Sequence, residues 1–153
     1  MPDRGDNSLR SHRSLPLSQI PQAIADLLVG VGYLGWARLR LTHVAPAALV
    51  RPEPAEEPKL TADHADFARR VGLAISRASS RVPWRSDCLV QALAAERWLG
   101  TAGVPTIICL GTRKDDQSQY QFHAWLKAGP LIVTGGAIDA YASFSADCAD
   151  RID

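Results

Sequence analysis

The spacing of hydrophobic residues changes near Gly103, from the period of helices to the period of strands. Upstream, Ala68, Val71, Ile75 and Ala78 recur at the spacing of one helix face, and residues 88–99 are an unbroken run of strong helix formers. Pro21 and Thr61 suit the first turn of one helix and the N-cap of the next. Ser86 or Asp87 suits the cap of a third. The pattern predicts helices over residues 21–42, 61–79 and 88–99.

Downstream of Gly103, the pattern predicts strands over residues 104–110, 119–127 and 131–134, with a polar turn over 113–118 and an end to the last strand at Gly135-Gly136. In the strand over 119–127, Phe122 and Ala124 face one side of the sheet and His123 faces the other. Helices followed by an antiparallel meander are typical of an α+β fold.

The polar residues 1–14 are expected to be disordered, and the three prolines in residues 51–59 indicate a semi-rigid linker. We therefore predict two parts. Residues 1–59 form an N-terminal helical extension, with a disordered end, an apolar helix and the linker. Residues 60–153 form the domain, with a frayed tail. The first helix is apolar almost all round, so it must pack against the core or another protein.

Composition narrows the range of partners and cofactors. A formal net charge of +1 argues against nucleic acid. The apolar run over residues 27–37 is too short to span a bilayer, although membrane association stays open. The scattered histidines and three cysteines predict no metal site, and no motif predicts a cofactor. An odd cysteine count without a CxxC pair predicts no disulfide framework and a reducing, cytoplasmic location. No signal peptide is evident.

Candidate chemistry depends on Cys88 and His123. In the first turn of a helix, unpaired N–H groups and the positive end of the helix dipole favour a thiolate at Cys88. A small buried side chain is the alternative. His123 is a candidate base, or else an ordinary hydrogen-bonded histidine. If the face of Phe122 packs on the helix of Cys88, a bulge is needed to turn His123 towards the thiol.

The segment CLVQALAAERWLGTAGVPTIICLGT, followed by FHAWLKAGPLIVTGG, resembles the leader peptidases of lasso-peptide biosynthesis, which have a papain/transglutaminase-like core. The resemblance covers residues 82–144, and its specific motifs are CL-x-x-AL around Cys88 and HAW around His123. It implies Cys88 as nucleophile, His123 as general base and Asp139, the first acidic residue after His123, as the acid that orients the imidazole. A backbone carbonyl is the alternative to Asp139.

The resemblance also implies the reaction and the partners. The reaction is removal of the leader from a ribosomally synthesised precursor peptide. The partners are that precursor, a separate leader-recognition protein and an ATP-dependent lasso cyclase. Two alternatives stay open: a transglutaminase-type acyl transferase on the same core, and a non-catalytic binding module that keeps the fold.

The sequence also suggests roles for two tryptophans, for the backbone of Cys88 and for the other two cysteines. The indole N–H of Trp84 or Trp125 could assist an oxyanion, although packing is the simpler role. The backbone N–H of Cys88 is the preferred oxyanion donor. Cys109 is expected to be buried and inert, and Cys148 to be a free, exposed thiol.

Overall fold

The computed structural model describes residues 20–43, 59–144 and 148. The helices are α1 (Ile20–His43), α2 (Ala62–Ser79) and α3 (Cys88–Thr101), and the strands are β1 (Ile107–Lys114), β2 (Tyr120–Ala128), β3 (Leu131–Thr134) and β4 (Ala142–Ser143). The strands form one antiparallel sheet in the order β3-β2-β1-β4. The predicted α+β fold is confirmed. The predicted disorder of residues 1–14 and nearly all of the predicted linker lie outside the described residues.

The three helices pack around one hydrophobic core on the sheet. The side chain of Thr61 caps α2 by accepting a hydrogen bond from the amide of His64 at 3.2 Å, as its position in the sequence predicts. The buried stripe of α2 includes Ala68, Val71 and Ile75, all of which are fully buried. Because residues four apart share one helix face, this stripe faces the core continuously.

The first helix belongs to this core. Leu34 and Ala37 of α1 are fully buried and join the same hydrophobic cluster as α2 and α3. An ion pair of 3.4 Å joins Asp26 of α1 to Arg70 of α2. Among the described residues, α1 is the helix whose length and composition would allow it to cross a membrane. The expectation that its apolar run is too short to span a bilayer is therefore wrong by length and composition. A core helix passes the same test, and α1 buries one side against its neighbours.

The sheet separates two hydrophobic clusters. Leu126 of β2 packs with the helices. The preceding residue, Trp125, packs with Cys109, Ile138 and Cys148 in the second cluster. Successive strand residues point to opposite faces, so these clusters lie on the two sides of the sheet. The strand β4 was not predicted, because two residues are too few to show alternation.

Two cysteine expectations are wrong. Cys109 and Cys148 form a disulfide, with their Cα atoms 5.6 Å apart, and Cys148 is 2% exposed. The expected absence of disulfide pairing and the expected exposed thiol at Cys148 both fail. The physical reason is the path of the chain after β3, which returns across the face of β1 and brings together two cysteines separated by 39 residues. No spacing rule reveals such a return.

Candidate active site

Cys88 is the first residue of α3 and the free cysteine of the described chain. Asp87 holds the N-cap position in an extended conformation, but its side chain makes no capping hydrogen bond. Its carboxylate lies 3.3 Å from Arg85 instead. The N–H groups of the first turn are therefore not capped by the side chain of Asp87, and they lie beside the half-buried Cys88.

His123 is held by a backbone carbonyl. Its Nε2 lies 2.7 Å from the carbonyl oxygen of Gly135. A carbonyl can only accept, so Nε2 carries the proton that it donates. The Nδ1 atom is then left with the lone pair of the neutral ring, and it is the nitrogen that can receive a proton. The ring also stacks on Tyr141, with centroids 4.7 Å apart, which further restricts its orientation.

Gly135 holds a position that only glycine can occupy. Its φ is +111°, and an added Cβ would collide with the Cβ of Trp125. The chain therefore crosses directly over Trp125, and this path directs the carbonyl of Gly135 at His123. The glycine pair after the last strand was visible in the sequence as a chain end. Nothing in the pattern indicated where its carbonyl points.

Cys88 and His123 line the same pocket, which has a volume of about 430 Å³. The other lining residues come from α2, α3 and the segment from β3 onwards: Gly72, Ser76, Gln91, Ile132, Val133, Thr134, Gly135 and Gly136. Gly72 lets α2 and β3 approach closely, since a Cβ there would overlap the backbone oxygen of Val133. The pocket thus opens where β3 leaves β2.

The way in which His123 reaches this pocket differs from the expectation. The register shift in the pairing of β2 with β3 lies between Leu126 and Lys127, with the extra residue on β3, and not at His123. Pairing with β3 ends at Leu126, so His123 lies beyond the part of β2 that β3 covers. At this uncovered edge the imidazole can line the pocket without any local change in strand alternation.

The remaining predicted residues lie elsewhere. Asp139 is exposed, and no hydrogen bond joins it to His123 in the described part of the chain. Trp84 packs near Gly35 of α1, where an added Cβ would lie 3.8 Å from its ring, and Trp125 is 1% exposed beneath Gly135. Neither indole lines the pocket. Sequence reasoning did not identify Gly135, Tyr141 or Gln91.

The comparison with protein families agrees with this arrangement. The sequence model of the transglutaminase-like superfamily matches residues 26–146. Comparisons with curated proteins and with solved structures return no match. The family match begins within α1 and ends just after β4, so it includes most of α1, the other two helices and the whole sheet. The superfamily includes cysteine peptidases and acyltransferases, typically with Cys-His-Asp catalysis. This chain belongs to the transglutaminase-like superfamily.

Proposed function

We propose that this protein is a cysteine peptidase that removes the leader from a lasso-peptide precursor. The observation that carries the proposal is the pocket shared by Cys88 and His123, in which Nε2 of the imidazole donates to Gly135. The helix start favours a thiolate, and the imidazole tautomer leaves Nδ1 to exchange a proton. The motifs around Cys88 and His123 support the leader–core bond as the substrate.

The proposed reaction has two steps. Transfer of the thiol proton to Nδ1 of His123 leaves Cys88 Sγ as the nucleophile, which attacks the carbonyl carbon at the leader–core junction. The C–N bond breaks, the imidazolium returns its proton to the leaving amine, and the leader remains as a thioester on Cys88. His123 then takes a proton from water as that water attacks the thioester, releasing the leader as a carboxylic acid and restoring the thiol.

The oxyanion formed in each step needs hydrogen-bond donors. We assign the backbone N–H of Cys88 to this role, because it belongs to the uncapped first turn of α3. Gln91 lies one turn further along, and its Nε2 donates to the carbonyl of Ser86 at 2.8 Å. That bond ties the segment before Cys88 to the body of the helix, so it positions the donor rather than contacting the oxyanion.

The proposal includes partners and a location. The precursor peptide is the substrate, a separate recognition protein presents its leader, and an ATP-dependent lasso cyclase acts on the released core. Nucleic acid has no part in it. Because ribosomes make the precursor, we place the reaction in the cytoplasm. The outer side of α1 is the proposed docking surface for the recognition protein, since Ile24, Leu28 and Leu39 are 53%, 67% and 66% exposed there.

The test is a cleavage assay with a lasso-peptide precursor and its leader-recognition protein. Mass spectrometry should find a free leader with a C-terminal carboxylate, and Cys88→Ala should abolish it. If the product is instead a leader joined to an added amine, the protein is an acyl transferase. If no product forms and iodoacetamide labels Cys88 no faster than it labels a cysteine peptide, the protein is a non-catalytic binding module.

A further inference from the structure

The two sides of β2 are covered unequally. On one side β1 pairs with it from Tyr120 to Lys127. On the other side β3 pairs only with residues 126–128, because the chain turns away after Thr134. Among the described residues, the stretch from Tyr120 to Ala124 therefore forms an open edge of the sheet. The pocket lies at the end of this edge where β3 stops.

The direction of the backbone groups along this edge follows from one hydrogen bond. The amide of Phe144 donates to the carbonyl of Leu110 at 2.9 Å, so Leu110 directs its backbone groups towards β4. Backbone groups alternate between the two sides of a strand. The next residue, Gly111, therefore directs its groups towards β2, where its partner is His123.

The alternation then continues along β2. His123 bonds with β1, so Phe122 and Tyr120 direct their N–H and C=O groups away from β1. The hairpin agrees with this register, because the amide of Asp115 donates to the carbonyl of Gln119 at 2.9 Å. On these two residues, two backbone donors and two backbone acceptors thus face the open side of the sheet, one and three residues before His123.

Exposed aromatic side chains accompany these backbone groups. Tyr120, Phe122 and Phe144 are 61%, 73% and 62% exposed, and the rings of Phe122 and Phe144 have centroids 6.4 Å apart. An exposed apolar group of this kind beside an unpaired strand marks an interaction surface. Phe122 is adjacent to His123, so this exposed surface lies beside the pocket that contains Cys88.

We infer that the open edge of β2 binds the leader segment just before the scissile bond as an added β-strand. The inference rests on the proposed function, in which the leader forms the acyl side of the thioester. Because the C-terminal end of the leader must reach Cys88, the added strand runs from Tyr120 towards the pocket, parallel to β2. Its backbone pairs with Phe122 and Tyr120, and alternate side chains contact the rings of these two residues, since Phe144 follows β4 on the far side of β1.

The experiment uses the full chain and peptidyl chloromethyl ketones, from which Cys88 Sγ displaces chloride. Acetyl-tetra-alanine chloromethyl ketone should alkylate Cys88 about tenfold faster than acetyl-alanine chloromethyl ketone, because the longer probe gains backbone hydrogen bonds. A single N-methyl group on alternate amides of the longer probe should abolish this gain. N-methylation of the intervening amides should leave it intact.

Amide hydrogen exchange gives an independent readout on the tetra-alanine adduct. Exchange at Phe122 and Tyr120 should slow relative to the iodoacetamide adduct, whereas Gln121, already paired with β1, should not change. Equal rates for the two ketones, with Cys88 still highly reactive to iodoacetamide, would overturn the added strand and leave the proposed function standing. Unreactive Cys88 would overturn the proposed function and this inference with it. Protection at Phe122 in a dimer without any probe would assign the edge to a second copy of the chain.

Discussion

At the scale of single residues, the partner of His123 distinguishes this site from the expected Cys-His-Asp triad. The carbonyl of Gly135 accepts a hydrogen bond from Nε2, a position at which an acid was predicted. A neutral carbonyl orients the ring and selects its tautomer, but it brings no negative charge to stabilise an imidazolium. The uncapped start of α3 is therefore the feature of the described site that can interact favourably with negative charge developing in the reaction.

Gly135→Ala tests this partner. The new methyl group would collide with Trp125 and enforce a strained backbone, so the carbonyl should move away from His123. Turnover and the iodoacetamide reactivity of Cys88 should each fall at least about tenfold, with a loss of about 1–3 kcal/mol in unfolding free energy. Gly103→Ala is the control, since its φ is +69° but an added Cβ meets nothing within 4 Å. Comparable losses in both variants would mean that backbone strain alone is responsible.

Asp139→Asn tests the predicted acid. The side chain is exposed, and Gly135 already accepts from Nε2, so turnover should stay within about threefold of wild type. Steady-state cleavage assays would measure this. A loss above about a hundredfold would show that Asp139 approaches His123 in the working enzyme, as in a Cys-His-Asp triad.

At the scale of elements, the pocket depends on the close approach of α2 to β3 at Gly72. Gly72→Ala would place a methyl group against the backbone oxygen of Val133, which no side-chain rotation can relieve. The strand should move, with a loss of about 1–3 kcal/mol in unfolding free energy and lower activity. Gly32→Ala in α1 is the matched control. Nothing lies within 4 Å of its added Cβ, so the better helix propensity should stabilise it by about 0.5–1 kcal/mol. Urea unfolding measures both, and an unaffected Gly72→Ala protein would contradict the close approach.

Elements that local rules describe were predicted well from the sequence. The caps and periodicity of α2 and α3 depend on neighbours a few residues apart, and β3 was predicted over its observed residues 131–134. The start of β1 was placed three residues early, at Val104, which lies before the first residue paired with β2. Its end was placed four residues early, at Leu110, because the polar residues up to Lys114 were assigned to the turn although they pair with β2. The strand β4 and the disulfide depend on the return of the chain across β1, which is a property of tertiary structure.

The same division applies to the site. Cys88 and His123 could be selected because a helix start and two short motifs are local signals. The carbonyl of Gly135 could not be selected in this way. Every residue has a backbone carbonyl, and only the path of the folded chain determines what that carbonyl faces. The stacking of Tyr141 on His123 likewise joins a residue of β2 to the residue just before β4, which are distant in the sequence.

At the scale of the whole molecule, α1 is part of the folded domain as well as a candidate docking surface. Its buried side joins the core, so deleting it would expose that core and unfold the chain. Substituting its outer side avoids this problem. Leu28→Gln combined with Leu39→Gln should preserve the melting temperature, because both residues are largely exposed. The acceleration of cleavage by the recognition protein should fall at least about tenfold.

Leu73→Gln is the matched control, because Leu73 is 49% exposed on α2, away from the proposed surface. It should leave the stimulation by the recognition protein unchanged. Full stimulation of the doubly substituted protein would remove α1 from the docking surface without affecting the assignment of Cys88.

The central claim is that Cys88 attacks the leader–core bond with His123 as its proton carrier. Rapid acid quenching of the enzyme with its precursor and recognition protein, followed by intact mass spectrometry, tests this most directly. The account predicts a transient species in which the leader is joined to Cys88 by a thioester, absent from Cys88→Ala and greatly reduced in His123→Ala. Release of the leader by Cys88→Ala at a rate close to that of wild type would contradict it.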